Sequence, residues 1–173
     1  MRTRFVAPTV LAAVGAAAML TLSGCAPAPA PTPTSSTCTG VHVVVNFGLL
    51  GESTTSADIN ACSALASGTT TVSDALAAVS VSTEGTAKYG DQVVCRVNGA
   101  PAADKPFTVP GHKPYAETCA TMAPEYAYWS LWVKKGAGEW EYASEGVSAQ
   151  KVAPGDSIGL VFTTGGATPT PIS

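Results

Sequence analysis

The chain has 173 residues, nine Lys and Arg against twelve Asp and Glu, and a formal net charge of −3. It carries no basic patch or basic tail. That argues against nucleic-acid binding, where phosphate neutralisation supplies most of the affinity.

Arg2 and Arg4 form a basic start, and residues 6–22 are apolar and Ala-rich, interrupted by Pro8, Thr9 and Thr21. This is the layout of a secretory signal. The run is marginal for a membrane span, which needs ~20 apolar residues. It ends in Leu22-Ser23-Gly24-Cys25, which resembles the bacterial lipobox. The expectation is cleavage before Cys25, acylation of its thiol with palmitate-type chains, and a lipoprotein anchored on the extracytoplasmic face of the cell membrane. Two or more acyl chains hold a protein stably where a single chain binds only marginally. Loss of Arg2 and Arg4 with the signal leaves seven basic residues against twelve acidic ones, a balance of −5. Residues 26–37 alternate Pro with Ala and Thr before a short Ser/Thr run, and cannot pack a core. Their prolines favour an extended stalk of roughly 3.1 Å per residue. The expected organisation is a signal peptide (1–24), a lipidated Cys and Pro-rich stalk (25–37), one domain (38–164) and a flexible Gly/Pro/Thr-rich tail (165–173).

Five cysteines divide into Cys25 and four others. Cys38, Cys62, Cys95 and Cys119 form an even set in an oxidising compartment, which predicts two disulfides. Three pairings are open. Cys38–Cys62 and Cys95–Cys119 are preferred because each closes a modest local loop, stabilising by about 3 kcal/mol in the chain-entropy model. No pair has Cys-x-x-Cys spacing, and His112 alone lies near a cysteine in sequence, so no metal is expected.

Through the domain, Val41, Val43, Val45 and Phe47 alternate with His42, Val44 and Asn46, which predicts a half-buried strand. Residues 48–60 read as a loop and 61–67 as a short strand tied by Cys62. Thr71-Val72-Ser73-Asp74 reads as a capping box opening the one expected helix, with Val72, Leu76 and Val79 on its apolar stripe. Residues 92–98 form a strand with Val93, Cys95 and Val97 on one face. Residues 102–124, with Pro106, Pro110, Pro114 and Pro124, read as a long irregular excursion pinned by Cys119. Residues 125–142 hold Tyr126, Tyr128, Trp129, Trp132, Trp140 and Tyr142 and fit a hairpin turning at Gly136-Ala137. The preferred register pairs Val133 with Trp140 and Leu131 with Tyr142. A one-residue slip would place Tyr128, Trp132, Trp140 and Tyr142 on one face. In either register Tyr128 and Trp132 lie opposite Trp129, as an exposed aromatic surface or as a second covered face. After the Pro154-Gly155-Asp156 turn, Ile158, Leu160 and Phe162 alternate in a closing strand.

Catalysis has one formal motif, Gly155-Asp156-Ser157-Ile158-Gly159, which matches G-x-S-x-G. A nucleophile elbow needs a strand before the Ser, a helix after it and a base in reach. Here a Pro-Gly turn precedes Ser157, a strand follows, and neither His42 nor His112 lies downstream. No Gly-rich turn opens onto a helix as a phosphate cradle would. The reading is a non-enzymatic domain with no cofactor.

The order of elements and several short stretches resemble the bacterial relatives of the transcobalamin C-terminal domain. The stretches are Thr71-Val72-Ser73-Asp74-Ala75-Leu76, Tyr89-Gly90, Arg96-Val97-Asn98-Gly99, Tyr128-Trp129-Ser130-Leu131-Trp132 and Val152-Ala153-Pro154-Gly155-Asp156-Ser157-Ile158, spread over residues 41–162. Lipoprotein versions from high-GC Gram-positive bacteria, with extra cysteines around the middle strand, are especially similar. The resemblance implies an α+β fold, a β-grasp-like mixed sheet with one short helix. In transcobalamin the domain helps enclose a corrinoid. The expected function is a surface-anchored binding module with Tyr128, Trp132 and Trp140 as ligand-binding residues and the 101–124 loop as a wall. Its ligand would be a corrinoid, a glycan or an envelope protein. The alternative is an interaction lipoprotein that docks on a transporter or envelope complex.

Overall fold

The computed structural model describes residues 38–53 and 57–164; Cys25, the signal, the stalk and the tail lie outside them. The described residues belong to one unit, 36–173. The alternating valines form β1 (Val41–Asn46), followed by a short helix, α1 (Leu49–Ser53), and β2 (Ile59–Ser63). β3 (Thr70–Thr71) runs directly into α2 (Val72–Ala77). β4 (Thr83–Thr86) and β5 (Gly90–Val97) make a hairpin. The long segment 98–126 then leads to β6 (Ala127–Lys134), β7 (Trp140–Tyr142), β8 (Lys151–Val152) and β9 (Ser157–Thr164).

Five strands form a mixed sheet in the order β2-β1-β9-β6-β7, with β1 and β9 parallel and the other neighbours antiparallel. β3–β8 and β4–β5 are separate two-stranded pairs. This is a small, mostly-β α+β fold. Among the described residues no helix is long and apolar enough to cross a membrane.

The core lies on one face of the sheet. Val41, Val43, Val45 and Phe47 meet Ile158, Leu160 and Phe162 there, with Trp129 and Val133 from β6. The α2 residues Val72, Ala75 and Leu76 cover them. Each such aliphatic side chain contributes about 1.5–3 kcal/mol of burial. Phe47 and Trp129 pack edge to face at 5.3 Å. Short α2 needs this packing, because an isolated helix of its length is unstable in water. Its cap forms as the sequence implies. The Thr71 hydroxyl accepts from the Asp74 N–H at 3.0 Å and donates to the Asp74 carboxylate at 2.7 Å. The bond from Thr71 holds the Asp74 carboxyl below its ordinary range.

Four local expectations need correction. Residues 48–60 are not wholly a loop, since α1 lies among them and β2 begins at Ile59. α2 is therefore not the one helix of the domain. In β5, strict alternation fails. Glu84 pairs with Arg96 and Gly85 with Val94, so Cys95 is an extra, bulged residue. A bulge resets the period, and Val94 and Val97 both enter the core. The β6–β7 hairpin takes the slipped register, pairing Trp132 with Tyr142, Val133 with Glu141 and Lys134 with Trp140. The turn explains the slip. Its connection runs over 135–139, and the Asp156 carboxylate binds Lys135 Nζ at 2.8 Å and the Gly136 N–H at 3.1 Å.

Both disulfides take the preferred pairing, Cys38–Cys62 and Cys95–Cys119. The long segment is also held by Arg96, which donates to the carbonyls of Pro101 (2.8 Å) and Glu117 (2.6 Å) and to the Glu84 carboxylate (2.8 Å). Trp129 Nε1 adds a bond to the Ala100 carbonyl. Proline-rich chain is thereby fastened to β5 and β6 without a ladder of its own beyond the Phe107–Tyr115 bridge.

Candidate functional site

The slipped register puts Tyr128, Trp132, Trp140 and Tyr142 on the sheet face opposite the core. They do not form one platform. Trp132 is buried, donating from Nε1 to the Ser130 hydroxyl at 3.1 Å and stacked under Tyr142 at 4.1 Å. Its cross-strand partner on β9 is Gly159, which leaves the space above it clear of a side chain. Trp140 is half-buried beside Lys134, whose ammonium lies 5.5 Å from the ring centre. Tyr128 is half-buried, and its hydroxyl meets that of Tyr142 at 3.4 Å.

Tyr128 and Tyr142 border a cleft of about 560 Å³, within the range of ligand sites. The cleft sits where β7 leaves β6. Beyond Tyr142 the chain makes one more backbone bond, from the Ala143 N–H to the Leu131 carbonyl, and then crosses to β5. Val147 donates to the Asp91 carbonyl at 3.2 Å there. Gly146 permits the crossing, since a Cβ on it would lie 2.4 Å from Gln92 Cα. The result is a gap between β5 and the first half of β6, lined by Val94, Trp129 and Val147 together with Met122, Ala123 and Tyr142. Met122 and Ala123 belong to the end of the long segment that leads into β6.

Among the described residues the exposed large hydrophobic side chains are Tyr89, Met122 and Tyr142, and the last two, 63% and 49% exposed, stand at this cleft. Glu125 and Glu145 are exposed at its edge, and no Lys or Arg lines it. Partial burial, reinforced by the hydrogen bond to Tyr128, raises the Tyr142 phenol to about 12. The surface offers apolar contact, two phenolic hydroxyls and negative charge.

Of the sequence-predicted ligand residues, Tyr128 lines the cleft, Trp132 supports Tyr142 from beneath, and Trp140 lies outside it. Met122, Glu125, Tyr142 and Glu145 line the cleft without being among those predicted residues. Gly146 was the one local signal, a glycine where two backbones meet.

Ser157 opens β9 directly after the turn, beside His42 on β1 and Lys134 on β6 in register. Among the described residues a strand and no helix follows it, and no hydrogen bond joins it to a histidine. The His42 Nε2 meets Asn60 instead. His112 stacks on Tyr126 at 3.7 Å in the long segment. Glu84, Cys95 and Cys119 lie within metal-ligand distance of one another, but both sulfurs are spent in the disulfide and are not thiolate donors. No family model, curated protein or solved structure matches the chain.

Proposed function

We propose that this chain is a lipid-anchored, extracytoplasmic binding module that seats its ligand in the cleft between β5 and β6 and performs no chemistry on it. One observation carries the reading: exposed Met122 and Tyr142 converge on a concave site of ligand size. A cleft favours ligand capture over the alternative of docking through a flat apolar patch. Localisation rests on the basic start, the apolar run and Leu22-Ser23-Gly24-Cys25. A β-grasp assignment is supported by the sheet order, in which the first and last strands lie parallel at the centre and each is flanked by an antiparallel strand. It is further supported by α2, which falls between β2 and β6 in the chain and packs on the core face. Fold alone names no ligand.

The test is tryptophan fluorescence of the full chain in detergent micelles, titrated with cobalamin, haem and a glycan panel and corrected for absorbance. Saturable quenching by one class, lost in Tyr142→Ala and kept in Trp140→Ala, is the expected result. Quenching that depends on Trp140 but not Tyr142 would move the site to the hairpin tip and refute the cleft.

A further inference from the structure

β6 has an open edge along the cleft. β7 pairs only with Trp132, Val133 and Lys134, and the last bond across that seam is the one from Ala143 to the Leu131 carbonyl. Backbone groups of alternate residues point to the same side of a strand. The N–H and C=O of Trp129 and the N–H of Leu131 therefore point where the Leu131 carbonyl points. Among the described residues no backbone bond outside the strand ladders reaches the Trp129 pair, and β9 lies on the opposite side of β6. Four consecutive β6 residues, Tyr128 to Leu131, line the cleft. Side chains of consecutive residues point to opposite faces, so a cavity touching all four abuts the strand's edge and not one of its faces.

An unpaired strand edge is a template for another strand. Main-chain bonds then supply affinity, while alternating side-chain subsites supply selectivity. Here the subsites differ by face, with Tyr128 and Tyr142 on one side and Trp129, Val94 and Val147 on the other. Charge selects the occupant, since Glu125 and Glu145 flank the groove with no cation among its lining residues. The chain's own segments 26–37 and 165–173 contain no Lys or Arg, and their prolines lack the N–H a ladder needs.

We propose that the cleft takes an extended, basic peptide segment of another protein, added as a strand to the β6 edge at Trp129 and Leu131. This rests on the reading of the cleft as the ligand site and names the class of ligand.

The test pans the full chain, in detergent micelles, against a phage library of random decapeptides, then measures affinities of selected peptides. Selected sequences should alternate apolar and polar residues and carry Lys or Arg. N-methylation along a selected peptide should weaken binding ~10-fold at every second residue and little between, as loss of single ladder bonds requires. Glu125→Lys with Glu145→Lys, both exposed changes, should cost ~3–10-fold and weaken the salt dependence while the circular dichroism spectrum stays unchanged. Losses without a two-residue period, an acidic consensus, or binding indifferent to the charge reversals would overturn the proposal. So would a dimer dispersed by those reversals, which would make a second copy the occupant. If no peptide is selected but cobalamin, haem or a glycan quenches in a Tyr142-dependent way, strand addition falls and the cleft reading stands. If neither happens, both fall.

Discussion

Two charged side chains hold loops where strands could not. The Asp156 carboxylate gathers Lys135 Nζ, the Gly136 N–H and, at 2.9 Å, the Ala153 N–H. Burial alone would raise its pKa, but the bonds from Lys135, Ala153 and Gly136 outweigh that and lower it. A carboxyl whose folded pKa lies below its unfolded value of ~3.9 binds fewer protons folded than unfolded. Its contribution is complete above about pH 4 and fades as pH falls through the folded pKa. Urea titrations across pH should show that fading in the native chain and its absence in Asp156→Ala, which should lose about 2–3 kcal/mol at neutral pH. Arg96 works by shape as well as charge, because its planar fork reaches two loop carbonyls and a carboxylate at once. Arg96→Lys keeps the charge but not the fork, and should lower stability by about 2–4 kcal/mol while loosening 101–124 in hydrogen exchange.

At the scale of elements, the aromatic hairpin and the cleft depend on one register and one crossing. The slipped register turns Trp132 into a covered support and leaves Trp140 near the tip. Trp132→Ala should therefore cost about 3–5 kcal/mol in chemical denaturation, as for a buried aromatic. Trp140→Ala should stay within about 1 kcal/mol, the expected size for a half-exposed cation–π contact. Gly146→Ala tests the crossing, since its methyl would press on the β5 backbone. It should destabilise by about 1–3 kcal/mol and reshape the cleft, visible as chemical-shift changes concentrated at Gln92, Val94 and Tyr142. Alternation in β1 and β9 and the Thr71 cap were legible in the sequence because they depend on near neighbours. β3, β4 and β8 were not, because strands of two to four residues exist only where a partner already lies alongside. The Cys95 bulge was hidden for the same reason, since it is defined by Gly85 opposite Val94 and not by its own run.

For the whole molecule, the two disulfides, each spanning 24 residues, tie β2 to the chain before β1 and β5 to the long segment. An exported protein can keep such bonds oxidised. The proposed anchor is tested at Cys25. Cys25→Ser should abolish acylation and move the protein from the membrane fraction to the soluble fraction, read by metabolic labelling with a palmitate analogue and by fractionation. Retention of the label in that variant would remove Cys25 as the attachment point.

The even cysteine set, the faces of β1 and β9 and the start of α2 could be read from the chain alone. Each follows from composition, period or a contact three or four residues away. The hairpin register, the bulge, the Arg96 clasp and the cleft depend on contacts between distant parts of the chain. The register turns on Asp156, about twenty positions from the turn it holds, and the cleft on Gly146 meeting Gln92, 54 residues earlier. Such choices are made by groups distant in the chain competing for the same hydrogen bonds and the same space, and no local pattern records that competition.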